Sequence, residues 1–445
     1  MSDRNKPDKK NVLWIFSDQH RGQAMSCSGC SNVETPNLDS LAGEGVRFTH
    51  TYSISPLCSP FRASVYTSQY IHQHGVGSLH RPIDKGILML PEVFKANGYH
   101  TVHLGKWHLS GGAAPSHFVA PCFRPGWDTW IGWENSNRPF NTQYAEGNYP
   151  MPLKTLSGYQ TDSLTDLAID QLNSMEEESP WFMVVSIEPP HDPHVTTESY
   201  MRDYDDREIS FRDNVPDCWK TSENITKSKG YYAQIKNLDD NIGRLIDTLK
   251  SNGQYDNTII FYFSDHGDFM GSHNRVQKFY AEEESSNIPF IIRYPGEIIS
   301  PSVSENLISS IDIPTTTLGL VGMDIPDSMK GNDYSEQIFG QNISGRQEVL
   351  IELNSWFDDD DLEYSYRALR TNDYLIIKAR KDSNCRLYDM IRDPYQTKNL
   401  YWENECSSIR NDLETRLKRK LVDIGDDFYD HFIANSNDNI AVGIN

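Results

Sequence analysis

The chain has 445 residues, of which 37% are hydrophobic and 23% are charged, and its formal net charge at pH 7 is -22. This composition is typical of a globular protein with a substantial buried core, and it excludes fibrous and disordered classes. The net negative charge argues against nucleic acid or a membrane as the main partner, because the field of the protein repels polyanions.

The N-terminal ten residues are polar and contain no apolar stretch of the kind found in signal peptides. No segment approaches the ~18 consecutive apolar residues that a membrane span requires. The cysteines number seven and are scattered along the chain, which does not match a disulfide framework. We therefore expect a cytoplasmic protein from the sequence as it stands, and a periplasmic or secreted one if a signal peptide has been trimmed.

Strands and helices alternate through the first part of the chain. The patterns predict strands over 11–17, 46–52, 99–104, 181–187 and 258–263, and helices over 36–44, 91–96 and 231–250. Three of the strands end directly in polar residues, namely Asp18, Glu188 and Asp265. Open α/β sheets place their chemistry at this end of their strands. We predict an α/β fold with a large, mostly parallel or mixed central sheet flanked by helices.

The pattern changes near residue 348. Closely spaced strands are predicted over 349–353, 366–370 and 374–379, followed by an amphipathic helix over 407–422. This order is typical of a small antiparallel α+β unit. The sequence therefore predicts a catalytic domain over residues 1–347 and a smaller C-terminal subdomain over 348–445.

The sharpest local feature is the segment Cys58-Ser-Pro-Phe-Arg62. Pro60 presets a first helical turn, so Cys58 is expected near a helix N-terminus with Arg62 one turn later on the same face. The helix dipole and Arg62 would both favour an anionic group there. From the residues alone, Cys58 could be a thiolate nucleophile, or the segment could be a phosphate-binding turn.

This segment resembles the C-x-P-x-R signature of the sulfatases in the alkaline phosphatase superfamily, and other segments extend the likeness. The stretch 98–108 is similar to the second family signature, G-Y-x-T-x-x-x-G-K-x-x-H, and Asp265-His-Gly-Asp with the later Lys278 resembles a metal-binding strand end and its lysine. The segment Leu387-Tyr-Asp-Met-Ile-Arg-Asp-Pro resembles a segment found in the small subdomain of the family. The likeness implies an alkaline phosphatase-like fold and conversion of Cys58 to formylglycine by a maturation enzyme.

The resemblance also implies a site for one divalent cation. Its ligands would be Asp18, Gln19, Asp265, His266 and the modified Cys58. This mostly oxygen set favours Ca²⁺, with Mn²⁺ or Mg²⁺ as alternatives. Many relatives carry Asp at the position of Gln19 and Asn at that of His266, so these departures leave the identity of the metal open.

Roles for the remaining polar residues follow from the same resemblance. Arg62 would hold the nucleophile, Lys106 and Lys278 would grip the sulfate oxygens, and His108 would be the base. His191, or Lys278, would protonate the leaving alcohol, and His194 would line the substrate pocket. One hydroxyl of the formylglycine hydrate would attack sulfur, and the second, deprotonated by His108, would expel sulfate.

Three functions remain open from the sequence. The first is hydrolysis of sulfate esters, with a sulfated carbohydrate or other sulfated small molecule as substrate. The second is hydrolysis of phosphonate monoesters or phosphodiesters by a member of the same superfamily. The third is non-catalytic anion binding, in which Cys58 stays a thiol. Trp127, Trp130 and Trp133 could stack on sugar rings, or they could pack in the core.

Overall fold

The computed structural model describes residues 9–148, 152–176, 179–294, 296, 302–341, 345–356 and 364–428. Residues 1–8 of the polar N-terminus and residues 429–445 of the predicted subdomain lie outside this range. The strands are β1 (Asn11–Asp18), β2 (Val46–Tyr52), β3 (His100–Lys106), β4 (Thr129–Trp133), β5 (Gln143–Glu146), β6 (Lys154–Thr155), β7 (Trp181–Pro190), β8 (Thr258–Ser264), β9 (Phe290–Arg293), β10 (Ser302–Ser309), β11 (Glu348–Leu353), β12 (Tyr366–Thr371), β13 (Tyr374–Ala379) and β14 (Arg386–Asp389). The helices are α1 (Pro36–Glu44), α2 (Cys58–Thr67), α3 (Ile71–His74), α4 (Leu90–Ala96), α5 (Gln160–Ser174), α6 (Glu198–Arg202), α7 (Ser222–Ser251), α8 (Glu283–Ser286), α9 (Asp312–Leu320), α10 (Ser335–Ile338) and α11 (Ser407–Ile424).

The large sheet has ten strands in the order β10-β2-β9-β8-β1-β7-β3-β4-β5-β6. Its centre, from β8 through β1, β7 and β3 to β4, is parallel throughout. Strand β9 is antiparallel to both of its neighbours, as are β5 and β6 at the far edge. The predicted mixed α/β sheet is therefore confirmed, with a parallel core where the polar strand ends occur.

The central strands are apolar along their length because helices cover both faces of the sheet. Side chains of β1 alternate between the two layers: Val12, Trp14 and Phe16 pack with α2, α4 and α9, whereas Leu13 and Ile15 pack with α1, α5 and α7. This double burial explains why the sequence shows continuous apolar runs rather than alternation.

The strand register places the predicted polar ends side by side. Ser17 of β1 pairs with Ser264 of β8, so Asp18 and Asp265 leave the sheet next to each other. On the other side, Phe16 pairs with Ser186 of β7, and Ser186 in turn pairs with Gly105 of β3, one residue before Lys106. Four adjacent parallel strands thus deliver their C-terminal ends to one edge.

The smaller sheet is antiparallel in the order β11-β12-β13-β14, and α11 packs against it through Leu413, Leu417 and Leu421. Its predicted strands are confirmed to within one residue at each end, and β14 is an addition. One apolar cluster contains both this sheet and Tyr52, Ile54 and Leu57 before α2. Because this core spans both parts, a domain boundary at 347/348 stays a prediction.

The largest error in the predicted elements concerns helix α7, which begins at Ser222 rather than near residue 231. Thr221 caps the helix by accepting a hydrogen bond from the backbone N–H of Asn224. The first turns are mostly exposed and polar, so apolar periodicity could not reveal them. Among the helices of the described residues, none combines the length and the apolar character needed to cross a membrane.

Candidate active site

Cys58 is the first residue of α2, as the Pro60 signal predicted. Leu57 before it is extended, and every residue of α2 is buried. Because the helix starts at the edge where the parallel strands end, its first residue projects into the cluster of polar side chains. Only 1% of the Cys58 surface is accessible in the structure.

Four side chains meet around a common point: Asp18, Cys58, Asp265 and His266 each contribute one ligand-type atom, and these atoms lie within 4.8 Å of one another. The Cys58 Sγ is 3.2 Å from His266 Nε2 and 3.6 Å from Asp18 Oδ1. His266 Nε2 is 3.6 Å from oxygens of both carboxylates. All four residues are buried.

This donor set fits a divalent cation. The His266 Nδ1 lies 3.1 Å from the Gly267 carbonyl, which can only accept a hydrogen bond, so Nδ1 carries the proton and the Nε2 lone pair faces the cluster. Burial and the positive charge of Lys278 hold the pKa of His266 well below its ordinary value, which keeps the imidazole neutral as a metal ligand must be. Two carboxylate oxygens complete a set suited to a hard or borderline cation.

The two carboxyl groups have opposite pKa shifts. Burial disfavours the Asp18 carboxylate, but the charges of Lys106, His191 and Lys278 outweigh burial and hold its pKa well below the ordinary value. For Asp265, burial and the neighbouring Asp18 carboxylate raise the pKa to about 7. A second ionised carboxylate is thus costly here without more positive charge, and a cation between the two would supply it.

Arg62 lies fully buried beneath the cluster. Its Nη2 is 3.2 Å from Asp18 Oδ2 and 3.5 Å from Asp265 Oδ2, and its Nη1 donates to the Ser186 hydroxyl and the Lys106 carbonyl. The sequence resemblance assigned Arg62 to the nucleophile, whereas its hydrogen bonds in the structure go to the two carboxylates. This geometry fits a residue that positions the carboxylates.

Two lysines contact residues of the cluster. Lys106 Nζ donates to Asp18 Oδ2 at 2.8 Å and is 3.5 Å from Glu188 Oε1. Lys278 Nζ lies 3.3 Å from Cys58 Sγ and 2.9 Å from His191 Nε2. Burial works against the charge of Lys278, but the negative groups around it, including Asp18, raise its pKa. Both ammonium groups can therefore meet an anion bound at position 58.

Cys58 itself is a poor thiolate. Burial and the Asp18 carboxylate raise the pKa of its thiol to about 12, although Lys278 and Lys106 act in the opposite direction. Burial and Asp18 thus outweigh the contributions that the helix dipole and Arg62 were expected to make to an anionic sulfur. At neutral pH the unmodified side chain is a protonated thiol.

The three predicted histidines occupy different positions. The His191 Nδ1 contacts its neighbour's carbonyl at 2.7 Å, and burial together with Lys278 lowers its pKa to about 4. His108 is 7% exposed, its Nδ1 has no partner among the described residues, and burial with the charge of Lys106 keeps its pKa well below the ordinary value. The His194 Nδ1 lies 3.2 Å from both the Gln234 Oε1 and the Pro190 carbonyl.

Gln19 stands beside the four-residue cluster. Its Oε1 accepts a hydrogen bond from Lys278 at 3.0 Å, and its Nε2 donates to Asp268. The backbone N–H of Gln19 donates to Asp265 Oδ1. Asp268 and Glu188 have no role in the pattern-based prediction, although both follow predicted strands in polar segments, and that position is the signal that could have found them.

The tryptophans that could have served as sugar platforms pack in the core instead. Trp127 and Trp130 pack around Trp107 and His103, and Trp133 is fully buried with its Nε1 donating to Glu188. The prediction that these tryptophans pack in the core is therefore confirmed. Any sugar platform among the described residues is formed by other side chains.

Comparison with known proteins gives the same family along almost the whole chain. The profile described as Sulfatase matches residues 10–323, and the profile described as N-sulphoglucosamine sulphohydrolase, C-terminal, matches residues 271–423. The chain is 33% identical to the ulvan-active sulfatase of Formosa agariphila over 96% of its own length and 83% of that protein. It is 25% identical to the N-acetylglucosamine-6-O-sulfatase of Bacteroides thetaiotaomicron over 91% of its length and 85% of that protein.

Solved structures share the fold. A protein solved in complex with its substrate D-glucosamine-2-N,6-O-disulfate superimposes with a TM-score of 0.84 at 22% identity, covering 94% of this chain and 99% of that one. The phosphonate monoester hydrolase of Agrobacterium radiobacter gives a TM-score of 0.76 at 22% identity, covering 94% of this chain and 95% of that one. At such identity these likenesses show the alkaline phosphatase-like fold alone. The family profile and the sequence relatives decide the family: the chain belongs to the sulfatases, enzymes that hydrolyse sulfuric esters.

Proposed function

We propose that this enzyme removes sulfate from carbohydrates, using Cys58 converted to formylglycine as nucleophile beside one divalent cation, Ca²⁺ in the first instance. The observation that carries the proposal is the convergence of Cys58 with Asp18, Asp265, His266 and Lys278 at one buried point. The carbohydrate class is supported by a relative named as an N-acetylglucosamine-6-O-sulfatase and by the related fold that holds a sulfated glucosamine.

Two groups would complete the site, a formylglycine hydrate at position 58 and a divalent cation. A formylglycine hydrate at position 58 would supply the hydroxyl that attacks sulfur and a second one that releases sulfate, and a bound cation would offset the negative charge at that point. Asp18, Asp265 and His266 would hold the cation, with the side-chain oxygen of Gln19 as the additional ligand that the family resemblance implies. Arg62 then acts as a positioning residue, because its guanidinium fixes both carboxylates.

Lys278 is proposed as the proton donor to the leaving alcohol. Its Nζ contacts both Cys58 Sγ and His191 Nε2, so it lies between the reacting position and the histidine. Since the pKa of His191 is lowered to about 4 and that of Lys278 is raised, the proton shared by this pair resides on Lys278. His191 would then orient Lys278, and Lys106 would help to offset charge on the sulfate oxygens.

His108 is proposed as the base for the second half of the reaction. Its lowered pKa leaves the imidazole neutral, and its Nδ1 is buried without a hydrogen-bond partner among the described side chains and backbone groups. A neutral imidazole with a free nitrogen can take the proton of a hydroxyl at position 58. Lys278 would therefore be the proton donor in the first half of the reaction, and His108 would be the base in the second.

The proposed function is tested by assay and by mass. Sulfate release is measured across a panel of sulfated mono- and oligosaccharides, in parallel with 4-nitrophenyl sulfate and the matching phosphonate monoester and phosphodiester. We expect the sulfate esters to be the better substrates, and faster turnover of the phosphorus esters would contradict the proposal. The peptide containing residue 58 should be about 18 Da lighter than its cysteine form; thiol alone in protein from the native host would favour the non-catalytic alternative.

Replacing Lys278 by Met should lower kcat by roughly 10²–10³-fold, because one charged hydrogen-bond donor at a developing negative charge contributes about that factor. The measurement is steady-state hydrolysis of 4-nitrophenyl sulfate. The matched control is Lys330→Met, which removes an exposed ammonium that bonds only to the Asp327 carbonyl in the described structure. The control should stay within about twofold of the parent, and an unaffected Lys278→Met enzyme would refute the assignment.

A further inference from the structure

A cleft of about 710 Å³ opens beside the cluster, and His194, which was predicted to line the substrate pocket, is one of its lining residues. Its volume falls in the range of sites that hold drug-sized ligands, and it is far larger than a sulfate ion needs. Residues from three parts of the chain line it: the segment after β7, the N-terminal turns of α7, and the loop between β8 and α8. The cleft is thus built by tertiary packing of separate segments.

Three of the lining residues, Asp192, Asp268 and Gln277, are joined to the site by hydrogen bonds. These three residues are called the inner end of the cleft. Gln19 Nε2 donates to Asp268 and approaches Asp192 at 3.5 Å, and Gln277 Nε2 contacts Asp192 at 3.4 Å. Since Gln19 also accepts from Lys278, a ligand bound in the cleft lies one side chain away from the proposed proton donor.

The walls of the cleft are apolar. Trp219 and Met270 form a floor with 6% and 5% of their surfaces exposed, and Val195 and Val276 stand at the rim with 38% and 55% exposed. Isolated exposed valines are ordinary, but two on the rim of a pocket with an apolar floor form a continuous apolar surface. Such a surface fits the C–H face of a sugar ring, while the carboxylates and the amide at the inner end can bind its hydroxyls.

The floor is held in place by the loop after β8. A Cβ on Gly271 would lie 2.5 Å from two indole atoms of Trp219, so this glycine packs directly on the ring. Met270 and Gln277, which both line the cleft, have φ values of 44° and 62°. Non-glycine residues rarely adopt positive φ values. They keep this conformation where contacts with the surrounding structure hold the backbone in place. The cleft wall is therefore preformed.

The charge of the cleft restricts what can enter. Asp192, Glu223 and Asp268 supply three carboxylates, whereas Lys227 supplies the one ammonium among the described residues that line it. That ammonium is already paired, since Lys227 Nζ donates to Glu223 Oε1 at 2.8 Å. A second sulfate or a uronate in the cleft would find no unpaired lysine or arginine and would face like charges.

We propose that this cleft binds the saccharide portion of the substrate and selects sugars that carry no second anionic group there. The inference rests on the proposed function and narrows its substrate class. Trp219, Met270 and Val276 contact the apolar face of the sugar, and Asp192 and Gln277 bind its hydroxyls. These residues determine specificity and leave the chemistry at position 58 to the cluster described above.

The test is direct binding, so that it does not depend on turnover. Calcium-loaded Cys58→Ala protein is titrated calorimetrically with 6-sulfated N-acetyllactosamine, which has an uncharged neighbouring sugar, and with the unsaturated disaccharide of chondroitin 6-sulfate, which has a uronate. Thr226→Trp, added to the same protein, fills the cleft from an exposed position of α7. Asp247→Trp is the matched control, because it places the same side chain at an exposed position of α7 outside the cleft.

We expect the uncharged-neighbour probe to bind more tightly, Thr226→Trp to raise its Kd by at least about tenfold, and Asp247→Trp to change it by less than about twofold. Val276→Lys should narrow the gap between the two probes, because it brings an unpaired cation to the rim. Unchanged Kd values with Thr226→Trp, tighter binding of the uronate probe, or no binding of either probe would overturn the proposal. A different outcome is that Thr226→Trp weakens binding but the protein with Cys58 intact releases no sulfate. That outcome would contradict the proposed function and would still support saccharide binding in the cleft.

Discussion

Replacing Cys58 by Ala is expected to abolish hydrolysis of every sulfate ester that the parent accepts, with kcat falling by roughly 10⁴–10⁶-fold, as when a covalent nucleophile is removed. Cys58 is the first residue of α2, and its Sγ touches His266 and Lys278 in a fully buried position. Alanine is smaller than cysteine, and the site is held by Arg62 and the strand ends, so the fold should survive. The check is kcat for 4-nitrophenyl sulfate and for the best sulfated saccharide.

The control for this experiment is Cys122→Ala, which makes the same chemical change at an exposed cysteine. It should retain parent activity to within about twofold. Circular dichroism and thermal unfolding of the Cys58→Ala protein should match the parent, which separates lost chemistry from lost structure. Turnover surviving in a folded Cys58→Ala enzyme would remove position 58 from the mechanism.

Replacing Asp265 by Asn should strip the divalent cation from the protein and lower kcat by about 10³-fold or more, because a metal contributes several kcal/mol to stabilising charge in a transition state. Asp265 Oδ1 and Asp18 Oδ1 both lie 3.6 Å from His266 Nε2, so the amide leaves one carboxylate beside the imidazole. The amide also removes the negative charge that pairs with Arg62. Metal content by mass spectrometry and kcat are measured on the same samples.

Asp170→Asn is the matched control, since it makes the same change at an exposed position of α5. The control protein should keep both its metal and its activity. Chelation of the parent followed by addition of Ca²⁺, Mn²⁺ or Mg²⁺ identifies the ion that restores turnover, which the donor set alone leaves open. Full metal content in an inactive Asp265→Asn protein would contradict the assignment of this residue as a ligand.

The local sequence around Cys58 and its buried surroundings have opposite effects on the pKa of the thiol. The helix start at Cys58 and the basic Arg62 one turn later favour an anion in an isolated helix. In the folded protein, burial and the Asp18 carboxylate dominate, and the pKa of the thiol rises to about 12. The raised pKa of the thiol agrees with the proposed role of Cys58 as the precursor of another nucleophile.

Local sequence determined the elements that carry the site. Runs such as 11–17 and 258–263 had to be buried strands, since only a sheet covered on both faces accepts continuous apolar residues, and the polar residues after them had to stand at strand ends. The helix start at Cys58 followed from Pro60 in the same way. The resemblance of four short segments to the sulfatases added the family and the expected roles, which remain predictions for the individual residues.

Tertiary structure alone decided which of these ends meet. The register that pairs Ser17 with Ser264 sets Asp18 beside Asp265, and no local pattern encodes that pairing. The hydrogen bonds of Lys278 to Gln19 and His191 likewise join remote parts of the chain, and the cleft is formed by three separate segments between residues 192 and 277. Propensity and periodicity act over a few neighbouring residues, whereas burial and charge act across space, so the sequence by itself determined the parts of the site and only the folded chain fixed their distances and pKa values.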